Sequence, residues 1–203
     1  MRLDISSNIK IATIFALAII IAGFTALLAS GLMNKSTATS RSGKELVGRE
    51  APGFVAPVIG AQLATLEDYR GLPLILNFWA SWCPPCREET PGMERVWRKY
   101  RDDGLVILGV NVQDGEDEAR RYINEFGVTF PNVLDLDGRV TIDYGVTGLP
   151  VTFFVARDGT ISGRWVGSIS ETRLDSWARS LNENKDIRNT NHGENPEGYR
   201  SLN

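Results

Sequence analysis

Cysteine and histidine are nearly missing from this chain. Its 203 residues hold two cysteines, Cys83 and Cys86, and a single histidine, His192. A structural zinc site needs four ligands, and no second pair of Cys or His accompanies the first, so the cysteines do not read as half of a metal site. An inert staple is also a poor reading, since a bridge across two residues removes little unfolded-state entropy. An excess of either charge is lacking as well: 22 basic and 25 acidic residues are mixed along the chain for a net charge of −3. No basic stripe offers itself to nucleic acid, and that class is set aside.

What remains is a dithiol in a telling position. Residues 74–80, Leu-Ile-Leu-Asn-Phe-Trp-Ala, have the length and apolar content of a buried parallel strand. After the cysteines, Met93, Val96, Trp97 and Tyr100 fall at i, i+3, i+4 and i+7, one face of a helix. A strand that runs into Cys-x-x-Cys at a helix start puts the first sulfur among unpaired backbone N–H groups and at the positive end of the helix dipole, which favours a thiolate. Cys83 is therefore the expected nucleophile and Cys86, one turn inside, the resolving thiol.

The 42% hydrophobic content suits one domain of ordinary core size with appendages. Residues 1–10 precede 23 uncharged positions, 11–33, bounded by Lys10 and Lys35, long enough to span a bilayer. We read them as an uncleaved anchor with 1–10 cytoplasmic; a cleaved signal peptide would carry a shorter apolar region. The flanking positive charges do not decide the orientation. Residues 34–45 are rich in Ser and Thr and read as a flexible tether, 46–182 as the folded domain, and 183–203 as a disordered polar tail with Ile187, Tyr199 and Leu202 isolated in it.

Within the domain, 46–59 and 63–66 suggest an edge hairpin, 105–112 a second buried strand, and 116–126 a helix ended by Gly127. A short strand is expected at 133–136 and a helical turn at 140–144. Strands at 151–155 and 161–166 flank the turn Arg157-Asp158-Gly159, and a closing helix carries Leu174, Trp177, Ala178 and Leu181 behind Ser170 as N-cap. Strand, helix, strand implies a right-handed crossover and an α/β fold.

The sequence resembles the membrane-anchored thioredoxin-like proteins of the TlpA/ResA/CcmG type over about residues 46–181. The resemblance rests on Asn77-Phe78-Trp79-Ala80-Ser81-Trp82-Cys83-Pro84-Pro85-Cys86-Arg87-Glu88-Glu89, Gly109-Val110-Asn111-Val112, Tyr144-Gly145-Val146 and Gly148-Leu149-Pro150 before Thr152-Phe153-Phe154-Val155. It implies a thioredoxin-like fold, with a central mixed sheet flanked by helices, an N-terminal hairpin and a central insertion. It implies a monomeric thiol–disulfide oxidoreductase without cofactor or metal, which reduces protein disulfides on the outer, periplasmic side of the cytoplasmic membrane. Apocytochrome c is a client such proteins serve, and a polytopic membrane thiol carrier supplies their electrons. Pro150 is then a cis-proline facing the dithiol, with Leu149 offering backbone to an extended client, while Trp82, Pro84 and Pro85 complete the client-contacting surface. Trp79 reads as core, and Pro91 as a tolerated kink.

Asp114, at the end of the second parallel strand, has two readings: a proton acceptor for Cys86, or an Asp turning the chain before Gly115. Relatives often carry Glu, which reaches farther. Two other functions compete with reduction. A peroxiredoxin-type peroxidase needs Pro-x-x-x-Thr-x-x-Cys, but Ala80-Ser81-Trp82 precede Cys83. A binding module that holds copper on soft ligands would want a nearby His or Met, and the domain offers only Met93. The direction of electron flow is read from Pro84 and Pro85. Neither has an N–H, so the amides of Cys86 and Arg87 are the nearest donors to the Cys83 sulfur. A weakly stabilised thiolate predicts a reductant rather than an oxidant.

Overall fold

The computed structural model describes residues 16–25, 43–185 and 187. Residues 16–25 form a helix on which Leu17, Ile19, Ile20, Ile21 and Phe24 are exposed. Among the described residues no helix is long and apolar enough to cross a membrane. The rest of the expected anchor, 11–15 and 26–33, lies outside them, as do the tether up to residue 42 and the tail beyond 187.

The domain begins with an antiparallel pair, β1 (Val55–Pro57) and β2 (Leu63–Thr65), the expected hairpin. β3 (Leu74–Trp79) follows and is buried along its whole length. Helix α1 (Pro84–Tyr100) then runs through Pro91 without ending there. β4 (Val106–Val112) and α2 (Glu116–Phe126) come next, the latter closed by Gly127 at φ 60°, a left-handed turn that glycine adopts freely. β5 (Asn132–Asp135), α3 (Arg139–Asp143), β6 (Val151–Val155), β7 (Ile161–Val166) and α4 (Glu171–Asn182) complete the chain. Ser170 caps α4 by accepting from Arg173 N–H.

The main sheet has the order β5-β4-β3-β6-β7. β3, β4 and β5 are parallel, and β6 and β7 antiparallel to their neighbours, so the sheet is mixed as the resemblance implies. Alternation along β3 divides two cores. Leu74, Leu76 and Phe78 pack on one face with Val110, Tyr144 and Phe153. On the other face, Ile75 meets Met93, Val96 and Tyr100 of α1 and Leu174 and Trp177 of α4. Burying both faces of a strand is what a continuous apolar run demands.

Two differences from the sequence reading stand out. The short strand starts at Asn132 and stops at Asp135, so Leu136 lies beyond it, 61% exposed. Ile187 is not isolated in a polar tail: it is buried at 1% exposure in the α1–α4 core. The reason is Gly163 in β7, whose missing side chain leaves the space that the Ile187 methyl group fills beside Trp177.

Candidate active site

The strand that ends at Trp79 and the helix that starts at Pro84 leave four residues between them, and Cys83 is the N-cap of α1. Cys83 and Cys86 are joined as a disulfide, their Cα atoms 5.3 Å apart. Pro84 and Pro85 fill the first two helical positions and carry no N–H. The Cys86 amide donates to the Cys83 sulfur at 3.3 Å, one of the two donors anticipated from the prolines. Arg87 N–H goes instead to the Cys83 carbonyl. Of the two cysteines, Cys83 keeps 3% of its surface exposed and Cys86 none, which makes Cys83 the sulfur a client reaches.

The floor of the site is built from β3, β5 and α2. Trp79, Leu134, Ala119 and Tyr122 share a packed cluster with both cysteines. Trp79 is core, as expected. Its ring stacks on Tyr122 with centroids 4.4 Å apart, and its Nε1 donates to Asn132 Oδ1 at 2.9 Å. That bond crosses directly over Gly109, where any Cβ would collide with Asn132 and Trp79. Tyr122 shares a 2.6 Å hydrogen bond with Thr90, which donates to the Cys86 carbonyl. Burial pushes the Tyr122 hydroxyl up to about 12. Arg87 lies over the rings of Tyr122 and Phe126 and pairs with Glu125, tying the first turn of α1 to α2.

The other predicted residues fall around this centre. Leu149-Pro150 is a cis peptide, as the resemblance implies. Because Val151 pairs with Phe78, it lies beyond the end of β3 where the cysteines are, and Leu149 packs against their cluster. Trp82 is 61% exposed, Pro84 is exposed and Pro85 half-buried, an apolar rim beside Cys83. Asp114 is nearly buried at 8% exposure. Its Oδ2 accepts from Ser81 N–H at 2.7 Å and Asn111 Nδ2 at 3.1 Å, and its Oδ1 from Ser81 Oγ at 2.9 Å. The carboxylate thereby clamps the loop that carries Trp82 and Cys83.

Sequence reasoning missed Glu89. One turn beyond Cys86 on the buried face of α1, it accepts from Asn77 Nδ2 at 2.8 Å and from Ile169 N–H at 2.9 Å. Burial outweighs these two bonds and pushes its carboxyl up to about 7. The signal was present in the sequence: a carboxylate at Cys86 + 3, on the same stripe as Met93 and Val96.

The comparisons with known proteins agree with this geometry. The family model described as the AhpC/TSA family matches residues 47–164. The thiol-disulfide oxidoreductase ResA of Geobacillus thermodenitrificans is 35% identical over 135 residues, which cover 66% of this chain and 78% of the relative. ResA of Bacillus subtilis is 33% identical over 135 residues, covering 66% and 75%. Among solved structures, a thiol:disulfide interchange protein of the thioredoxin family from Chlorobium tepidum superposes with a TM-score of 0.60 at 27% identity, covering 66% of this chain and 95% of that one. An N-capping cysteine bridged to a buried partner on a thioredoxin-like sheet is the equipment such enzymes need, and this chain belongs to the AhpC/TSA family as a ResA-like thiol–disulfide oxidoreductase.

Proposed function

We propose that this oxidoreductase works as a protein-disulfide reductase, tethered by residues 11–33 to the outer face of the cytoplasmic membrane, with apocytochrome c among its clients. The observation that carries the direction is the amide of Cys86, the one donor to the Cys83 sulfur among the described residues. Each N–H that reaches such a sulfur stabilises the thiolate, and a stabilised reduced form makes an oxidant. One donor, behind two prolines, leaves the dithiol a reductant.

In the reaction, the Cys83 thiolate attacks a client disulfide and forms a mixed disulfide, and one client sulfur leaves as a thiolate that takes a proton. The Cys86 thiol loses its proton and attacks the Cys83 sulfur, releasing the second client thiol and closing the Cys83–Cys86 bond. Glu89, one turn along α1 with a carboxyl titrating near 7, is the group we assign to receive the Cys86 proton. Two electrons from a membrane thiol carrier then restore the dithiol. An extended client segment lies along Leu149, with apolar side chains against Trp82.

The test is to express the full chain as Cys86→Ser and recover mixed disulfides from membranes. Trapped apocytochrome c on Cys83, on a domain that external protease removes from spheroplasts, is the expected result. Recovery with Cys83→Ser instead would reverse the two roles, and full protection from protease would place the domain on the wrong side for these clients.

A further inference from the structure

Asn111 is the buried polar side chain that the chemistry above leaves unexplained. It is 1% exposed; its Nδ2 donates to Asp114, yet its Oδ1 has no hydrogen-bond donor among the described residues. The sheet register fixes where it lies. Asn111 pairs with Trp79 of β3 on one side and Leu134 of β5 on the other. Side chains paired across a sheet share a face. Trp79 and Leu134 both belong to the cluster that holds Cys83 and Cys86, so Asn111 stands between the two side chains that floor the dithiol. Its orientation is set by Asp114. An oxygen that already accepts from Ser81 N–H calls for the NH2 of Asn111, which turns the carbonyl away from the carboxylate.

We propose that Asn111 Oδ1 is the acceptor for the Cys86 thiol of the reduced enzyme, an inference that rests on the dithiol cycling set out above. The disulfide has no proton to give, and a buried carbonyl without a donor is disfavoured. When an external dithiol reduces the protein, its own disulfide forms, the Cys83–Cys86 bond breaks, and two electrons and two protons pass to the protein sulfurs. One proton comes to rest on Cys86, which is fully buried. Its S–H then supplies the missing donor. Asn111 is thus satisfied only in the reduced state, and it keeps the proton on Cys86 while Cys83 carries the charge. The division of labour between two sulfurs on one helix turn follows from what lies beneath each.

The S–H infrared stretch of the full chain carrying Cys83→Ser, where Cys86 is the one thiol, reads the bond directly. The band is expected at the lowered frequency of a hydrogen-bonded thiol, and to move to that of a free thiol when Asn111→Leu is added. Ser81→Ala, which loosens the same clamp without touching Oδ1, should leave the band in place. In the otherwise native chain, Asn111→Leu should shift the glutathione equilibrium roughly tenfold toward the disulfide, about 30 mV more reducing. A free-thiol band in the protein that retains Asn111, or a band and equilibrium unmoved by Asn111→Leu, overturns the inference; the first needs no Asn111 variant to fold. Failure of the native pair to exchange with glutathione at all would instead bring down the reductase reading.

Discussion

Glu89 on α1 accepts a hydrogen bond from the backbone N–H of Ile169, 80 residues further along the chain, at 2.9 Å. The contact joins the helix of the cysteines to the segment between β7 and α4, and it does so with a carboxyl that burial has pushed up to about 7. Folded Glu89 therefore holds a proton that the unfolded chain releases near the ordinary value of 4.5. A raised folded pKa contributes stability that is complete below about 4.5 and is lost as pH rises through about 7. Glu89→Gln should abolish this slope, worth about 3 kcal/mol at 1.36 kcal/mol per pKa unit. Urea denaturation of both proteins from pH 4 to 8 measures it; parallel curves would show that Glu89 does not titrate in this window.

Asp114 makes a different prediction, because donors from Ser81 and Asn111 already occupy both its oxygens. Asp114→Asn turns one acceptor into an NH2 facing those donors, at a cost of about 1–3 kcal/mol. Turnover should fall because the loop carrying Trp82 and Cys83 loosens, while the pH profile keeps its shape. A displaced profile would show that the carboxylate itself exchanges protons in the cycle.

Ile187 tests where the folded domain stops. Ile187→Ala should cost about 2–5 kcal/mol, the range for emptying a packed aliphatic site, since its side chain fills the space over Gly163. Thermal denaturation of the variant, and of a chain ending at Asn182, should show the same large loss. Melting unchanged in both would mean that residues beyond α4 do not contribute to the core.

These residues also mark how far the sequence could be read. α1 was legible from its start at the cysteines, and α2 to both its ends, because Met93, Val96, Trp97 and Tyr100, and Ala119 and Tyr122 before Gly127, repeat at helical spacing and Gly127 takes a left-handed turn. The dithiol and its place at the helix start were legible because their chemistry depends on neighbours in sequence, and Pro150 was legible through the family resemblance. What stayed hidden depends on neighbours in space. Asn132 looks like a loop residue until Trp79 is placed against it. Ile187 has no periodic partner, and the slot it fills is made by a glycine 24 positions earlier. That Asp114 holds the loop before Cys83 shows only when Ser81 and Asn111 are seen to converge on it.

The central claim is that one amide on the Cys83 sulfur, behind Pro84 and Pro85, makes this dithiol a reductant. Equilibrating the full chain with glutathione and quantifying the oxidised fraction gives the potential directly. The account predicts a value below about −200 mV, on the side of the roughly −270 mV of thioredoxin. A value near the roughly −120 mV of a strong disulfide oxidant would contradict it.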